Sequence, residues 1–124
     1  MSDDPRAELG RAGEKSAVRF LRRKRYRIVA RNYRCPMGEI DIVALDGATI
    51  VFVEVKTRSD REYADPQDAV NAAKQRRLVR AAKVFLQHTR SQGRACRFDI
   101  VAVTLDGQKA YEIEHFVNAF VPCS

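Results

Sequence analysis

The sequence predicts an α/β domain in which a mixed sheet of strands is flanked by helices. Helical and strand-like stretches follow one another in the order α-β-β-β-α-β-β, and no repeat or long linker separates them. A chain of 124 residues, 45% of them hydrophobic, is the size of one domain and can bury a core without disulfides. We therefore expect a single domain over residues 1–124.

The first four elements are a helix and three strands. Pro5 suits the first turn of a helix that runs to about residue 24. Pro36 and Gly38 indicate a turn before the second strand, and Asp46-Gly47 is typical of a hairpin before the third. The predicted ranges are residues 4–24 for the helix and 26–33, 39–45 and 49–57 for the strands.

A second helix and two strands follow a polar loop over residues 58–64. Asp65 is predicted as the N-cap and Pro66 as the first helical residue, and Gly93 ends the helix after about residue 92. Strands are predicted over residues 97–105 and 110–115. No element is predicted for residues 116–124, whose apolar side chains either pack internally or form an interface.

The cysteines and the hydropathy pattern narrow the class of protein. Cys35, Cys96 and Cys123 are odd in number and form no CxxC pair, which argues against a zinc site or a disulfide framework. Free thiols fit a reducing cytosol. No apolar run approaches the roughly 20 residues of a membrane span, and the acidic N-terminus lacks a secretory core. We therefore expect a cytoplasmic protein without a membrane partner.

Charge is segregated along the chain, and the net charge is +7. Residues 19–34 and 69–98 each contain eight Lys or Arg and no acid, whereas many acids lie between Glu39 and Asp68. This distribution attracts polyanions, nucleic acid above all. The alternative is a solvated basic face that binds no ligand.

Two carboxylates are predicted on one face of the sheet. Side chains alternate along a strand, so Glu54 and Lys56 share a face at the end of the third strand. A hairpin loop with an even number of residues places Asp41 on that same face. Asp41 then lies diagonal to Glu54 if Leu45 faces Ala48, or directly opposite if Leu45 faces Ile50. A loop with an odd number would separate the two carboxylates.

Two carboxylates among Ile and Val side chains need a counter-charge, either Lys56 or a bound cation. Asp41 and Glu54 suit Mg²⁺, with the carbonyl of Val55 as a third ligand. The metal would polarise a scissile phosphate and lower the pKa of a bound water. Lys56 would steady the nucleophile or offset charge in the transition state. The alternative is a strand-end ion pair of Glu54 with Lys56 beside a solvated Asp41.

Glu14 lies on an apolar side of the first helix. It is either a third carboxylate of the site or a helix-edge residue paired with Arg11 or Arg22. Gly10 and Gly13 stand on adjoining turns, although each costs about 1 kcal/mol relative to Ala inside a helix. They indicate the close approach of another backbone or a frayed helix start.

The second helix adds polar residues beside its apolar stripe. Lys74 lies on the stripe, where it either extends to solvent or reaches the carboxylates. Gln75 is placed to hydrogen-bond a water or a phosphate. The residues predicted to contact nucleic-acid phosphates are Arg34, Arg58, Lys74, Arg76, Arg77, Arg80 and Lys83.

Several motifs in one order resemble the YraN-type family of small bacterial proteins, over about residues 7–105. The motifs are Gly10-x-x-Gly13-Glu14, Asn32-Tyr33-Arg34, Gly38-Glu39-Ile40-Asp41, Phe52-Val53-Glu54-Val55-Lys56-Thr57-Arg58, Lys74-Gln75-Arg76-Arg77 and Arg97-Phe98-Asp99. That family is similar to archaeal Holliday-junction resolvases and other PD-(D/E)xK nucleases. The resemblance implies a restriction-endonuclease-like αβββαβ core, with a mixed central sheet flanked by helices.

The resemblance also assigns roles. Glu14, Asp41, Glu54 and Lys56 match the acidic and lysine positions of the nuclease motif, and Gln75 falls near an active-site position of some relatives. The implied cofactor is Mg²⁺ or Mn²⁺, and the implied assembly is a homodimer. Two departures are Ile40 in place of the motif's proline and the loop Glu62-Tyr63-Ala64, which lacks an expected glycine.

Three functions follow from these observations. The first is a metal-dependent nuclease acting on DNA, branched or structured DNA included. The second is a nucleic-acid-binding module with a degenerate site, and the third is an accessory protein that docks acidic partners through its basic helix. Carboxylates beside a phosphate would repel DNA unless a metal or Lys56 offset them. Their presence favours catalysis.

Overall fold

A computed structural model describes residues 5–59, 70–107 and 109–120. Two helices and five strands follow one another in the predicted order. They are α1 (Pro5–Arg23), β1 (Arg27–Cys35), β2 (Gly38–Asp46), β3 (Thr49–Ser59), α2 (Ala72–His88), β4 (Cys96–Asp106) and β5 (Lys109–Phe120). Neither described helix is long and apolar enough to cross a lipid bilayer.

The five strands form one mixed sheet in the order β1-β2-β3-β4-β5. Neighbours are antiparallel except β3 and β4, which are parallel because the chain crosses over through α2 between them. The first six elements therefore have the αβββαβ order and the mixed sheet of the restriction-endonuclease-like core. This confirms the predicted fold class.

The core has two layers, one on each face of the sheet. Ala17, Val18 and Leu21 of α1 pack on the face that carries Val51, Val53 and Val55. On the other face, the apolar stripe of α2 packs against Ile50 and Phe52; its buried residues are Leu78, Ala81, Ala82 and Phe85. The central strand β3 is thus covered on both sides, as its continuous apolar run predicts.

The start of α2 differs from the prediction. Asp65-Pro66-Gln67-Asp68 lie outside the described residues, but Asn71 has an extended backbone and its side chain accepts a hydrogen bond from the Lys74 amide at 2.9 Å. Asn71 is therefore the N-cap, because the cap needs a non-helical residue whose oxygen reaches the first turn. The helix also ends at His88, where Thr89 caps it, and not at residue 92.

All five strands are longer than predicted, and three of them extend by two residues or more at one end because the added residues find a partner. Arg58 and Ser59, expected in a loop, pair with Thr104 and Leu105 of β4. Strand β5 continues beyond residue 115, since Phe116 and Phe120 pair with β4. Strand β1 likewise extends to Cys35, which pairs with Gly38. The loop 62–64 and residues 121–124, which include Cys123, lie outside the described residues.

A buried carboxylate organises the end of the core near the α1 C-terminus. Asp99 has no exposed surface and accepts hydrogen bonds from Arg97 Nε at 3.0 Å and from the Asn118 amide at 2.9 Å; His115 Nε2 lies 2.8 Å from its other oxygen. Burial alone would raise the pKa of Asp99, but these hydrogen bonds outweigh it and hold the pKa below its usual value. The motif Arg97-Phe98-Asp99 is therefore part of a structural network.

Candidate active site

The hairpin register brings Asp41 and Glu54 together. Leu45 pairs with Ile50, and Asp46 pairs with Thr49 across the two-residue turn Gly47-Ala48. The loop is therefore even, and it has the register that sets Asp41 directly across from Glu54. The predicted juxtaposition of the two carboxylates is confirmed.

The two strands separate at the level of Asp41. The last paired residues are Ile42 and Val53, and beyond them the Val55 amide donates a hydrogen bond to Asp41 Oδ2 at 2.8 Å. The Asp41 carboxylate thus accepts the hydrogen bond that a backbone carbonyl of β2 would accept if the two strands continued to pair. This contact fixes Asp41 where the strands part and leaves a space between them for a ligand.

Strand alternation is also broken at Asp41. Ile40 and Val43, three residues apart, both pack in the core under α2, although regular alternation would place them on opposite faces. The residue of β1 that lies opposite Asp41 is Asn32, whose φ is +52°. A left-handed φ is uncommon for a residue other than glycine, so β1 is irregular beside Asp41.

Glu54 is held by a lysine of α2. Its side chain is only 8% exposed, and Lys74 Nζ lies 2.8 Å from its Oε1. The predicted alternative in which Lys74 reaches the carboxylates is therefore confirmed, and Lys74 is the direct counter-charge of Glu54. Lys56 lies near Lys74 and near the carboxylates of Glu54 and Asp41.

Glu14 joins the two carboxylates from α1. Its side chain hydrogen-bonds Asp41, and its partial burial raises its pKa. The helix comes this close because Gly13 lies on Thr57: a Cβ on Gly13 would stand 2.6 Å from Thr57 Cγ2 and 2.7 Å from its Cβ. The close approach predicted from the two glycines is confirmed for Gly13. Gly10 has no atom within 4 Å of such a Cβ.

Burial and like charges shift the proton affinities in this cluster. Burial, together with the charges of Glu54 and Glu14, raises the pKa of Asp41 to about 8, against the opposing Val55 amide and Lys74. Burial and the neighbouring Lys74 ammonium lower the pKa of Lys56, although Glu54 and Asp41 oppose this. A divalent cation bound at these oxygens would lower the pKa of Asp41 again.

A cleft gives access to these groups from both faces of the sheet. One part, about 350 Å³ in volume, is lined on the α2 side by Arg77 and Leu78. Another part, about 390 Å³, is lined on the α1 side by Arg11 and Glu14. The two parts share four lining residues: Glu39, Asp41, Glu54 and Lys74. The carboxylates thus lie where the two parts meet.

The donor set fits a hard divalent cation. Asp41 and Glu54 offer only oxygen, and the carbonyl of Val55 follows directly in β3; Mg²⁺ is commonly held by one or two carboxylates plus water and phosphate. No group of three or more His, Cys, Asp or Glu side chains able to hold a metal occurs in the part of the chain that the structure describes. Glu14 therefore supports Asp41 and is not a ready third ligand.

Gln75 is placed differently from the other predicted site residues. Its Nε2 donates a hydrogen bond to the Val70 carbonyl at 3.0 Å, and it does not line either part of the cleft. The amide therefore fastens the segment before α2 to the helix. We leave Gln75 out of the proposed catalytic set for this reason.

Three of the predicted phosphate-binding residues line the cleft: Arg34, Lys74 and Arg77. Arg77 lines it, and Arg34 lies at its rim, 3.7 Å from Glu39. The exposed cations along α2 are Arg76, Arg77, Arg80 and Lys83. Arg58 is half-buried at the end of β3. Lys74 differs from these because Glu54 already engages its ammonium.

Two charged residues of the cleft were not predicted as site residues. Glu39 is exposed and lines both parts of the cleft, and Arg11 lines the α1 side. The sequence contains a signal for each. Glu39 stands two residues before Asp41, and Arg11 stands one helical turn before Glu14.

Comparison with known proteins assigns the chain to a family. Residues 13–103 match the model of the uncharacterised protein family UPF0102. The chain belongs to the UPF0102 family. A UPF0102 protein of Geobacter metallireducens is 52% identical over 112 residues, which cover 90% of this chain and 91% of the relative.

Two further relatives support the assignment. A UPF0102 protein of Moorella thermoacetica is 50% identical over 104 residues, covering 84% of this chain and 87% of the relative. A UPF0102 protein of Chlorobium limicola is 42% identical over 125 residues, covering 97% of this chain and 96% of the relative. The resemblance to the YraN-type proteins is thereby confirmed. The family is described as uncharacterised, so an argument about activity depends on the site itself.

Proposed function

We propose that this UPF0102 protein is a divalent-metal-dependent nuclease that hydrolyses phosphodiester bonds in DNA. The observation that carries the proposal is the pair Asp41 and Glu54, held against each other where β2 and β3 part and opening into a cleft beside a basic helix. Apposed carboxylates destabilise a fold unless a cation offsets them. A site that keeps them together beside exposed arginines suits a metal and a phosphate.

The chain's own residues suit the chemistry of hydrolysis. Asp41, Glu54 and the carbonyl of Val55 would hold Mg²⁺ or Mn²⁺, which when bound polarises the phosphate and acidifies water. Glu14 would orient Asp41 through their hydrogen bond. The Lys56 ammonium would donate to the attacking water or to a phosphate oxygen. The water oxygen would bond to phosphorus as the bond to the leaving oxygen breaks. The attacking water would release one proton to the solvent, and the leaving oxygen would take one proton from the solvent.

One contact favours the second candidate, a nucleic-acid-binding module without catalysis. Lys74 neutralises Glu54 at 2.8 Å, so one carboxylate is already satisfied without a metal. Against this, Asp41 and Glu14 face the same cleft, and carboxylates add nothing to the binding of a polyanion. Branched DNA as substrate and a homodimer as the assembly are implied by the resemblance alone and remain predictions.

Glu54→Gln separates the two functions. The amide keeps an acceptor for Lys74 but loses the charge that a metal needs, so we expect cleavage to fall at least about 100-fold while DNA affinity stays equal or rises. Cleavage of labelled DNA and fluorescence anisotropy measure the two quantities. Glu112→Gln is the control, because it removes the same charge from an exposed position on β5. Unchanged cleavage in Glu54→Gln would sink the proposed site.

A further inference from the structure

The outer face of α1 carries a line of cations outside the proposed active site. Arg11, Lys15 and Arg19 follow one another at intervals of four residues, and Arg22 falls on the same face. All four are exposed, and none forms a salt bridge within the described parts of the chain. Glu8 is the acid that accompanies Arg11, Lys15 and Arg19 along a groove of about 490 Å³.

This line of cations is continuous with the cleft. Arg11 lines the groove along α1 and also the part of the cleft that holds Glu14, Asp41 and Glu54. A polyanion whose phosphate lay at the carboxylates would therefore meet Arg11 next. From Arg11 it could continue along α1 past Lys15 and Arg19.

A second basic surface lies on the other side of the sheet. Helix α1 packs on one face of the sheet and α2 on the other. Arg77 lines the cleft on the α2 side as Arg11 does on the α1 side. The carboxylates consequently lie between two basic helices, so that a substrate would contact cations in both directions from the site.

We infer that the α1 cations bind the phosphate backbone of a double-stranded nucleic acid on the α1 side of the cleft, while the α2 cations bind it on the other side. The inference rests on the proposed function and names its substrate class. A compact anion would need converging donors, whereas these side chains are exposed and spread along a helix. A duplex supplies two backbones, one for each basic helix.

The triple variant Arg11→Gln/Lys15→Gln/Arg19→Gln tests this surface. Each phosphate contact contributes about 0.9 to the slope of log affinity against log salt for duplex DNA. We therefore expect the slope to decrease by roughly 2 to 3 and duplex affinity at about 0.1 M salt to fall tenfold or more. Fluorescence anisotropy without divalent metal measures both, so the test does not depend on cleavage.

The control removes equal charge from the far end of the sheet. Arg27→Gln/Arg90→Gln/Arg94→Gln changes exposed cations beyond α2 and the hairpin, and we expect a slope close to wild type. The α1 variant should also lose more affinity for duplex than for a single strand of equal length. An unchanged slope, or equal losses on duplex and single strand, would overturn the inference.

The two proposals fail differently. If wild-type protein cleaves DNA with metal but the α1 variant binds duplex as wild type does, only the α1 surface is refuted. If wild-type protein neither binds nor cleaves DNA, both proposals fail. In that case, loss of binding to an acidic protein by the α1 variant would reassign the surface to a protein partner.

Discussion

At the scale of single residues, the sequence predicts which carboxylates meet but not how their charge is balanced. The hairpin at Asp46-Gly47 and the alternation of β3 predict that Asp41 lies beside Glu54 if the loop is even, and the structure shows an even loop. The choice between Lys56 and Lys74 as counter-charge depends on where α2 packs, which strand patterns do not contain. The left-handed φ of Asn32 is equally hard to predict, because a single Asn gives no periodic signal.

Asp41→Asn should stabilise the protein at high pH. The folded pKa of about 8 lies above the ordinary value of 3.8, so the folded state binds the extra proton between these values. The contribution of Asp41 to the free energy of unfolding is greatest below about pH 4 and is lost as pH rises towards 8. We expect the variant to have a larger free energy of unfolding than wild type at pH 8.5, and we expect this difference to decrease towards pH 5. Urea unfolding in EDTA measures the free energy of unfolding of both proteins. Parallel pH profiles for the two proteins would show that the raised pKa of Asp41 is not the cause.

Lys74→Met should weaken the metal-free fold and strengthen metal binding. Glu54, whose side chain is 8% exposed, would lose the ammonium 2.8 Å away. We expect the free energy of unfolding to fall by about 1–3 kcal/mol. The loss is smaller than for a fully buried pair because the Lys74 side chain is 32% exposed. Removing a cation that competes for Glu54 should increase the rise in melting temperature caused by Mn²⁺. Lys83→Met, exposed on the same helix, is the control. A smaller metal response than wild type would contradict this role.

At the scale of elements, interiors are predicted better than ends. The helix α1 and the strands β2 to β4 have strong periodicity, and their ranges agree with the prediction within about two residues. The start of α2 was misplaced because Asp65-Pro66 resembles a helix start as well as Asn71 does. Strand β5 was underestimated because its second half depends on pairing with β4.

Gly13 and Gly10 should respond oppositely to alanine. Gly13→Ala places a methyl group into Thr57 and should destabilise the protein by about 1–3 kcal/mol by forcing α1 away from β3. Gly10→Ala meets open space and should stabilise it by up to about 1 kcal/mol through helix propensity. Thermal unfolding of both variants gives the comparison. Equal effects would show that α1 does not contact β3 as closely as described.

At the scale of the whole molecule, the candidate site and the Asp99 network lie between different strands of the sheet. The cleft lies beyond the paired part of β2 and β3, whereas the Asp99 network joins β4 and β5 near Tyr26, whose hydroxyl accepts from Arg97 at 2.7 Å. Segregated charge in the sequence predicts a basic surface but not that it forms two helical faces. That arrangement depends on α1 and α2 packing on opposite sides of the sheet.

Asp99→Asn should therefore damage folding and spare the cleft. An amide offers one acceptor oxygen where the carboxylate meets Arg97, His115 and the Asn118 amide, so buried donors lose partners at a cost of roughly 3–5 kcal/mol. Chemical denaturation measures the loss. At a temperature where the variant stays folded, DNA affinity should match wild type. A variant of normal stability that had lost DNA binding would assign Asp99 to function.

Cleavage of labelled duplex and branched DNA by the purified protein with Mg²⁺ or Mn²⁺ is the most direct test of the proposed nuclease, with EDTA and Lys56→Ala as controls. We predict cutting that requires the metal, stops in EDTA and is lost in Lys56→Ala while the variant remains folded. No cutting of any substrate with either metal, while salt-sensitive DNA binding persists, would contradict the nuclease and leave a binding module.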